Sequence, residues 1–553
     1  MKLHKRWLAL ILALAMTLSL AACAVAAPAA SAPAEAAPAV EEAAEAVEET
    51  AEAVEETAEE VVEEAAEAVE ETAEEATEEA AAEWDGEITD IDVMLFDLRG
   101  VGENSKPIVD AMNAITEKTC GVRANIMFVP GAEFQTQTGL IFSSGENLDV
   151  ISLYAGTASF ASLIANGQLM DITELMQNEG KETYDMMSEY IAANTVDGKI
   201  YGIPPYRNYG NSIYLIMRKD ILDDLGLTEK AQNLTDWAGV EEIFQAVTEQ
   251  GNISAVGSGR RILTGTDVIF PNGSFDDKIM FDTLGDSILQ IFTDDEGNVS
   301  LLPENENYRI QQDMVRDWYN AGYVYKDSPI TDDHPDTLMK AGSIFSSVQV
   351  SEMGVETSKR EATGYEVICA ELARNRLTSA TVNKFGIGVP VISEEPEAAV
   401  RWINALYTDP ALVNLLYWGI EGEDYVITET GEAAYPEGID PSNVKYHSVD
   451  FLLGNYFNAL PWQGNGADFR QRAYDFLKGS ETSPYIGFAI NLGELQNTLT
   501  GLNSVYEKYR STIQCGTYTD EDYDAYLAEL KTADVDTYIA EFQNQLTNWM
   551  NNN

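Results

Sequence analysis

The sequence predicts an α/β body of two domains, or of one domain with two lobes, behind an export signal and an acidic spacer. Three observations carry that expectation. Short apolar strands alternate with helices from Ile91 to Leu153, and such alternation indicates a mainly parallel sheet covered on both faces. The roughly 470 residues from Trp84 onward are too many for one small core. An extended segment is halted by Pro204-Pro205 and resumes at Ser212, as a chain passing between lobes would do.

Lys2, Lys5 and Arg6 form a short basic start, and Leu8 to Leu20 is an apolar run of signal-peptide length, too short to span a bilayer comfortably. Ala21 and Ala22 before Cys23 resemble a bacterial lipoprotein cleavage box, in which Cys23 takes the lipid. The alternative is an ordinary secretory cut within Ala21 to Ala30. Either way the folded part is expected outside the cytoplasm, and residues 1–23 are excluded from it.

Residues 24–85 form an Ala/Glu-rich acidic spacer. AEAVEET occurs at 44–50 and again at 51–57, and no lysine or arginine is present. Alanine and glutamate favour helix, but like charges at i,i+4 oppose it, and valine at one heptad position is a thin seam. A fluctuating spacer, a stiff single helix and a self-associating rod all remain open. Each would hold the folded part away from an anchor.

The chain has 93 acidic and 33 basic residues, a net charge of -60. Such a surface repels polyanions, so nucleic acid is excluded as a partner. Cys120, Cys369 and Cys515 are too widely spaced for a metal cluster, and a chain this long needs no disulfide. Neither a metal nor another cofactor is expected.

Ile91 to Phe96, Ala124 to Val129 and Leu148 to Leu153 read as strands, with helices over Ser105 to Thr119 and Glu133 to Phe142 between them. Ligands of such sheets lie beyond the carboxyl ends of the strands, which singles out Asp97 to Gly102 and Tyr154-Ala155-Gly156. Ile200 to Ile203 and Ser212 to Arg218 are the interrupted extended pair. Helices are expected near Trp237 to Glu249, Arg309 to Ala321 and Ala411 to Tyr417, and a strand over Lys384 to Ile392. DDEGNVS at 294–300 is faintly like a calcium loop but lacks its glycine and closing-glutamate spacing, and reads as a hairpin turn. Val535, Tyr538, Ile539, Phe542, Leu546 and Trp549 form a 3.6-period face that requires burial.

LAAC at 20–23, DVISLYAG at 149–156, DGKIYGIPPY at 197–206, the region from Glu394 to Ile427 and the stretch 505–549 together resemble the extracellular solute-binding lipoproteins of bacterial ABC importers, including the LplA and LipO type. The resemblance implies a type II periplasmic-binding-protein-like fold with interlobe crossing strands and a helical C-terminal region. It places the first lobe at 86–211 and 345–380, the second at 212–344 and 381–500, and helices packing back at 501–553. It further implies an oligosaccharide as solute, ABC permease subunits as membrane partners and a lipid anchor at Cys23 on the extracellular face of the cell membrane. A peptide solute and a non-transport adhesin are the alternatives.

A sugar cleft needs flat apolar surfaces and planar polar side chains. Tyr154, Tyr206, Arg207, Tyr209, Trp418, Glu421, Trp462 and Gln463 are the candidates, with Asp97 and Arg99 behind them. Each aromatic could equally be core, and Arg207 could pair with a neighbouring carboxylate instead of a ligand's. Catalysis is not expected, since no G-x-S-x-G, H-E-x-x-H or P-loop is present. The histidines are His4, His334 and His447, and the last two have no cysteine or histidine neighbours.

Overall fold

The structure, a computed structural model, describes residues 83–154, 158–263, 267–286, 288 and 290–552. The signal segment, Cys23 and nearly all of the acidic spacer lie outside the described residues.

The strand β1 (Thr89–Asp97) alternates at its start and is wholly buried from Val93 onward, the pattern of a strand covered on both faces. A helix, α1 (Lys106–Thr119), leads to β2 (Val122–Pro130), whose alternation marks an edge strand. Then α2 (Gly131–Ser144) leads to β3 (Val150–Leu153), buried throughout. β1 pairs in parallel with both β2 and β3.

After the proline break the chain forms β4 (Ser212–Arg218), β5 (Ser254–Val256), β6 (Ile344–Ser351) and β7 (Val367–Arg374). They make a second sheet in the order β7-β4-β6-β5, antiparallel except for β6 with β5. Its core gathers Trp237 and Phe244 from α3 (Trp237–Gln250) with Trp318 from α4 (Glu306–Asn320). Asp236 caps α3 by accepting from the Gly239 amide at 2.7 Å, which fixes the entry angle that buries Trp237.

The expected lobe assignment needs a correction. The stretch 345–380 does not return to the first lobe, because β6 and β7 both hydrogen-bond to β4. Nor does 381–477 belong to the second lobe. The strand β8 (Gly386–Gly388) pairs antiparallel with β3, and completes the first sheet as β8-β3-β1-β2. It is three residues long, not the nine expected over Lys384 to Ile392, and its glycines matter. A Cβ on Gly386 would stand 2.8 Å from the Ile203 carbonyl oxygen, so only glycine lets the crossing chain come this close. The helices α5 (Pro396–Thr408) and α6 (Pro410–Trp418) bury Trp402, Leu406, Leu416 and Trp418 in the first core, which extends as far as Leu477.

The chain therefore passes between lobes three times, near 204–211, 375–378 and 478–483. The second and third crossings hydrogen-bond to each other, with the Leu377 amide donating to Glu481 O and the Ser483 amide to Leu377 O, each 2.8 Å. Beyond them, and after α7 (Phe469–Lys478), come α8 (Gln496–Gln514), α9 (Asp520–Thr532) and α10 (Val535–Asn552). Val535, Tyr538, Phe542 and Leu546 of α10 are buried against a core that includes Leu284, Ile291 and Leu301. Thr519 and Asp522 close a capping box at the start of α9.

The segment 294–298 joins two antiparallel strands, as the hairpin expectation required. The Asp294 carboxylate accepts from the Glu296 and Asn298 amides at 3.0 and 2.9 Å, so it is occupied by the turn itself. Among the described residues no helix is long and apolar enough to cross a membrane. The thiols of Cys120, Cys369 and Cys515 are unpaired.

Candidate functional site

β1 ends at Asp97 and β3 at Leu153, so the loops after them share the carboxyl edge of the first sheet, where parallel sheets hold their ligands. Asp97 shapes the first loop: its carboxylate accepts from the amides of Arg99, Gly100 and Gly102 at 3.0, 2.8 and 3.1 Å. This carboxylate is therefore spent on backbone, and the exposed Arg99 is carried outward on the loop it fixes.

Beyond β3, the half-buried Tyr154 stacks on Phe96 with ring centroids 3.9 Å apart and lies parallel to Phe385 at 5.8 Å. Phe385 in turn meets Phe451 at 5.5 Å. The Arg207 guanidinium stands 5.6 Å from the rings of both Phe385 and Tyr209. Its Nη1 donates to Asn208 O at 2.9 Å and to Glu352 at 3.2 Å. Glu352 follows β6 in the second lobe, so the ion pair joins a crossing segment to the opposite lobe. Arg207, Glu352, Met353, Phe451, Tyr456 and Phe469 line a narrow cavity there.

Beyond β1 stands a second aromatic group. Trp462 lies 5.0 Å from Trp418, 4.4 Å from His447 and 4.7 Å from Tyr435. The Tyr435 hydroxyl and His447 Nδ1 are hydrogen-bonded at 2.7 Å. The Arg99 guanidinium acts on both Tyr435 and His447, which ties this group to the loop after β1. Burial, helped by that guanidinium, pushes the His447 imidazole down to about 4, so it is neutral near pH 7.

The chain reaches this arrangement through a sharp exit from α6. Gly419 has φ +89°, and a Cβ there would lie 2.5 Å from the Asp424 carboxylate. Asp424 accepts from the Ile420 amide at 3.0 Å and the Tyr446 amide at 3.2 Å, folding 420–447 back on α6 so that His447 meets Trp418 edge to face.

Of the residues singled out from sequence, Tyr154 and Trp462 are half-buried. Gln463 is exposed beside Trp462, its amide donating to Ala433 O at 2.8 Å. Trp418, Tyr206 and Tyr209 are buried. Trp418 is 3% exposed, packs beside Trp462 and donates its Nε1–H to Leu460 O. Tyr206 and Tyr209 lie in the first core around Tyr190, and the Tyr209 hydroxyl donates to Pro205 O. Glu421 is exposed on the turn after α6 and bridges to Tyr425 through backbone. Arg207 takes the carboxylate-paired alternative. Sequence reading missed Tyr435, His447, Phe385 and Phe451, and with them the fact that two aromatic groups flank one sheet edge. Ala155 and Gly156 lie outside the described residues.

Larger grooves exist, of about 560 Å³ between residues 195–198 and the end of α10 and about 460 Å³ beside β7, but neither gathers more than two aromatic rings. Among the described residues there is no group of three or more side chains able to hold a metal ion.

Residues 110–419 match the family described as bacterial extracellular solute-binding protein, and residues 484–551, chiefly α8–α10, match a domain of unknown function, DUF3502. A carbohydrate ABC transporter substrate-binding protein of Streptococcus pneumoniae serotype 4 is 22% identical over 432 residues, 77% of this chain and 84% of that protein. Among solved structures, the N-glycan transport solute binding protein NgtS of Streptococcus pneumoniae superposes with a TM-score of 0.67 at 20% identity, over 84% of this chain and 99% of that one. An HMO-binding, ABC-transporter-associated solute binding protein of Bifidobacterium longum infantis does so with a TM-score of 0.60 at 14% identity, over the same shares. These likenesses establish a shared two-lobed fold.

Proposed function

The chain belongs to the bacterial extracellular solute-binding proteins, and from that premise we propose that it captures an oligosaccharide outside the cytoplasm and delivers it unchanged to an ABC permease. Membership in a binding family makes it a carrier and not a catalyst. The observation that carries the sugar reading is the double aromatic group along one sheet edge, Tyr154 with Phe385 and Phe451 at one end and Trp462 with Tyr435 and His447 at the other. Two separated sets of ring faces suit several sugar rings in a row, since each pyranose offers an apolar C–H face to an aromatic plane. The relatives named for carbohydrate, N-glycan and HMO binding support the same class.

A peptide or acidic sugar would bring a carboxylate and favour a cation ready to take it. Arg207 is already held by Glu352 and Asn208 O, which favours neutral sugar rings at the Tyr154 end of the edge. In the mechanism we propose, a sugar chain settles on the first lobe, the three crossings bend, and the second lobe covers it through the Glu352 and Met353 loop. Binding energy then selects the closed form.

The finer parts of the proposal are a lipid on Cys23, a place near the LplA and LipO type and permease subunits as docking partners. Labelled palmitate should enter the wild-type protein in a bacterial host and be absent from Cys23→Ala. The solute class is tested by calorimetric titration against neutral oligosaccharides, uronate oligosaccharides and peptides. Heat with the neutral set supports the reading, and heat with peptides alone overturns it.

A further inference from the structure

Trp462 lies in the loop Pro461–Gly466, which has no helix or strand of its own to hold it. Gly464 and Gly466 sit at φ +96° and +88°, conformations that only glycine adopts without strain. Successive amides in such a turn converge, and a concave array of N–H groups calls for an anion. Here the anion is internal. The Glu432 carboxylate reaches across, and its Oε1 accepts from the Gly464 amide at 3.0 Å and the Gly466 amide at 2.9 Å. Its Oε2 accepts from the Thr430 hydroxyl at 2.9 Å. On either side, the Ala433 amide donates to Pro461 O and the Gln463 amide to Ala433 O, each at 2.8 Å.

We propose that Glu432 is the positioning residue for the Trp462 ring: its carboxylate fills the nest of the 462–466 loop and so fixes the ring plane on which a neutral sugar stacks. This deepens the oligosaccharide reading and rests on it. The backbone contacts of Ala433 hold the start of the loop, and the Glu432 carboxylate holds its far side together with Arg472, whose Nη2 donates to Asn465 O at 2.6 Å. Without it two glycine amides lose their acceptor, and the loop carries the indole less firmly against Tyr435 and His447. The Gly466 amide first, then the Thr430 hydroxyl, hold this carboxyl below the ordinary glutamate range.

The test is a double-mutant cycle on the full-length protein, titrated calorimetrically with the neutral oligosaccharide that binds the wild type. E432A is expected to lower affinity about tenfold, as is W462A, an amount typical of one lost stacking contact, whereas E432Q, whose side-chain oxygen can still accept from both glycine amides, should stay closer to wild type. The double variant should bind no more weakly than W462A alone, because Glu432 acts through the ring. T430V, a milder change, should weaken binding in the wild type and leave W462A unaffected. E432A binding within twofold of wild type, or an E432A loss that persists undiminished in the W462A background, would overturn the inference while leaving the oligosaccharide reading intact. A wild type that binds no oligosaccharide would sink both.

Discussion

Trp418 and Trp462 stand 5.0 Å apart, yet the two indoles differ in what they lose on truncation. Trp418 is buried, so Trp418→Ala leaves a cavity and is expected to cost about 3–5 kcal/mol of unfolding free energy in urea. Trp462 is only half-buried, so Trp462→Ala should lower oligosaccharide affinity about tenfold and shift the unfolding midpoint less than Trp418→Ala. The reverse pattern would mean that the half-buried ring is structural and the buried one is reached by ligand. His447 gives a pH signature at the same place. Its imidazole is pushed down to about 4 in the fold and titrates near 6.5 when unfolded. As pH falls from 6.5 towards 4 the unfolded state binds a proton that the folded state refuses, and stability is lost. The buried carboxyls of Asp282 and Asp286 are raised by burial and act in the opposite sense, gaining stability as pH falls through their raised values. The contribution of His447 is therefore read as a difference. Unfolding free energies of wild type and His447→Gln should converge as pH is lowered from 7 to 4.5, and a constant gap would contradict the assignment.

At the scale of elements, α10 is fastened by more than its apolar face. The Tyr538 hydroxyl donates to the buried Asp286 carboxylate at 2.9 Å, while the same carboxylate takes the Gln290 and Ile291 amides. Tyr538→Phe removes one donor from a buried charge and should cost about 1–3 kcal/mol, measured by chemical denaturation. A value near zero would mean that water replaces the hydroxyl. The helix itself was legible, because six apolar residues recur at helical spacing from Val535 to Trp549, and so was β1 with its continuous apolar run. The short strand β8 was not. Lys384 to Ile392 reads as one apolar stretch, and nothing in it says that only Gly386-Ile387-Gly388 pairs, or that β3 is the partner. Tertiary proximity of the 203–204 backbone decides that. Tyr435 and His447 escaped for a related reason: periodicity has no purchase between the end of α6 and the start of α7. The length of that stretch, about fifty residues with little regular structure, was the available signal, since long irregular segments in compact domains are commonly functional.

Across the whole folded body, three crossings meet where the lobes join, and two of them carry a buried arginine paired to an exposed carboxylate. Arg376, on the second crossing, pairs with Asp295 on one side and Glu481 of the third crossing on the other. Arg207 on the first crossing pairs with Glu352. A body held this way is suited to rigid lobes that move about a narrow waist, and solute should shrink it. Saturating oligosaccharide is expected to lower the radius of gyration of the protein in X-ray scattering, and an unchanged curve would argue against closure. The chemistry of capture is tested most directly by calorimetric titration of the purified protein with neutral oligosaccharides, followed by recovery of the bound sugar. The account predicts one-to-one binding with a Kd of about 1 µM or tighter and sugar recovered unaltered. Binding of peptides alone, or recovery of a cleaved sugar, would contradict it.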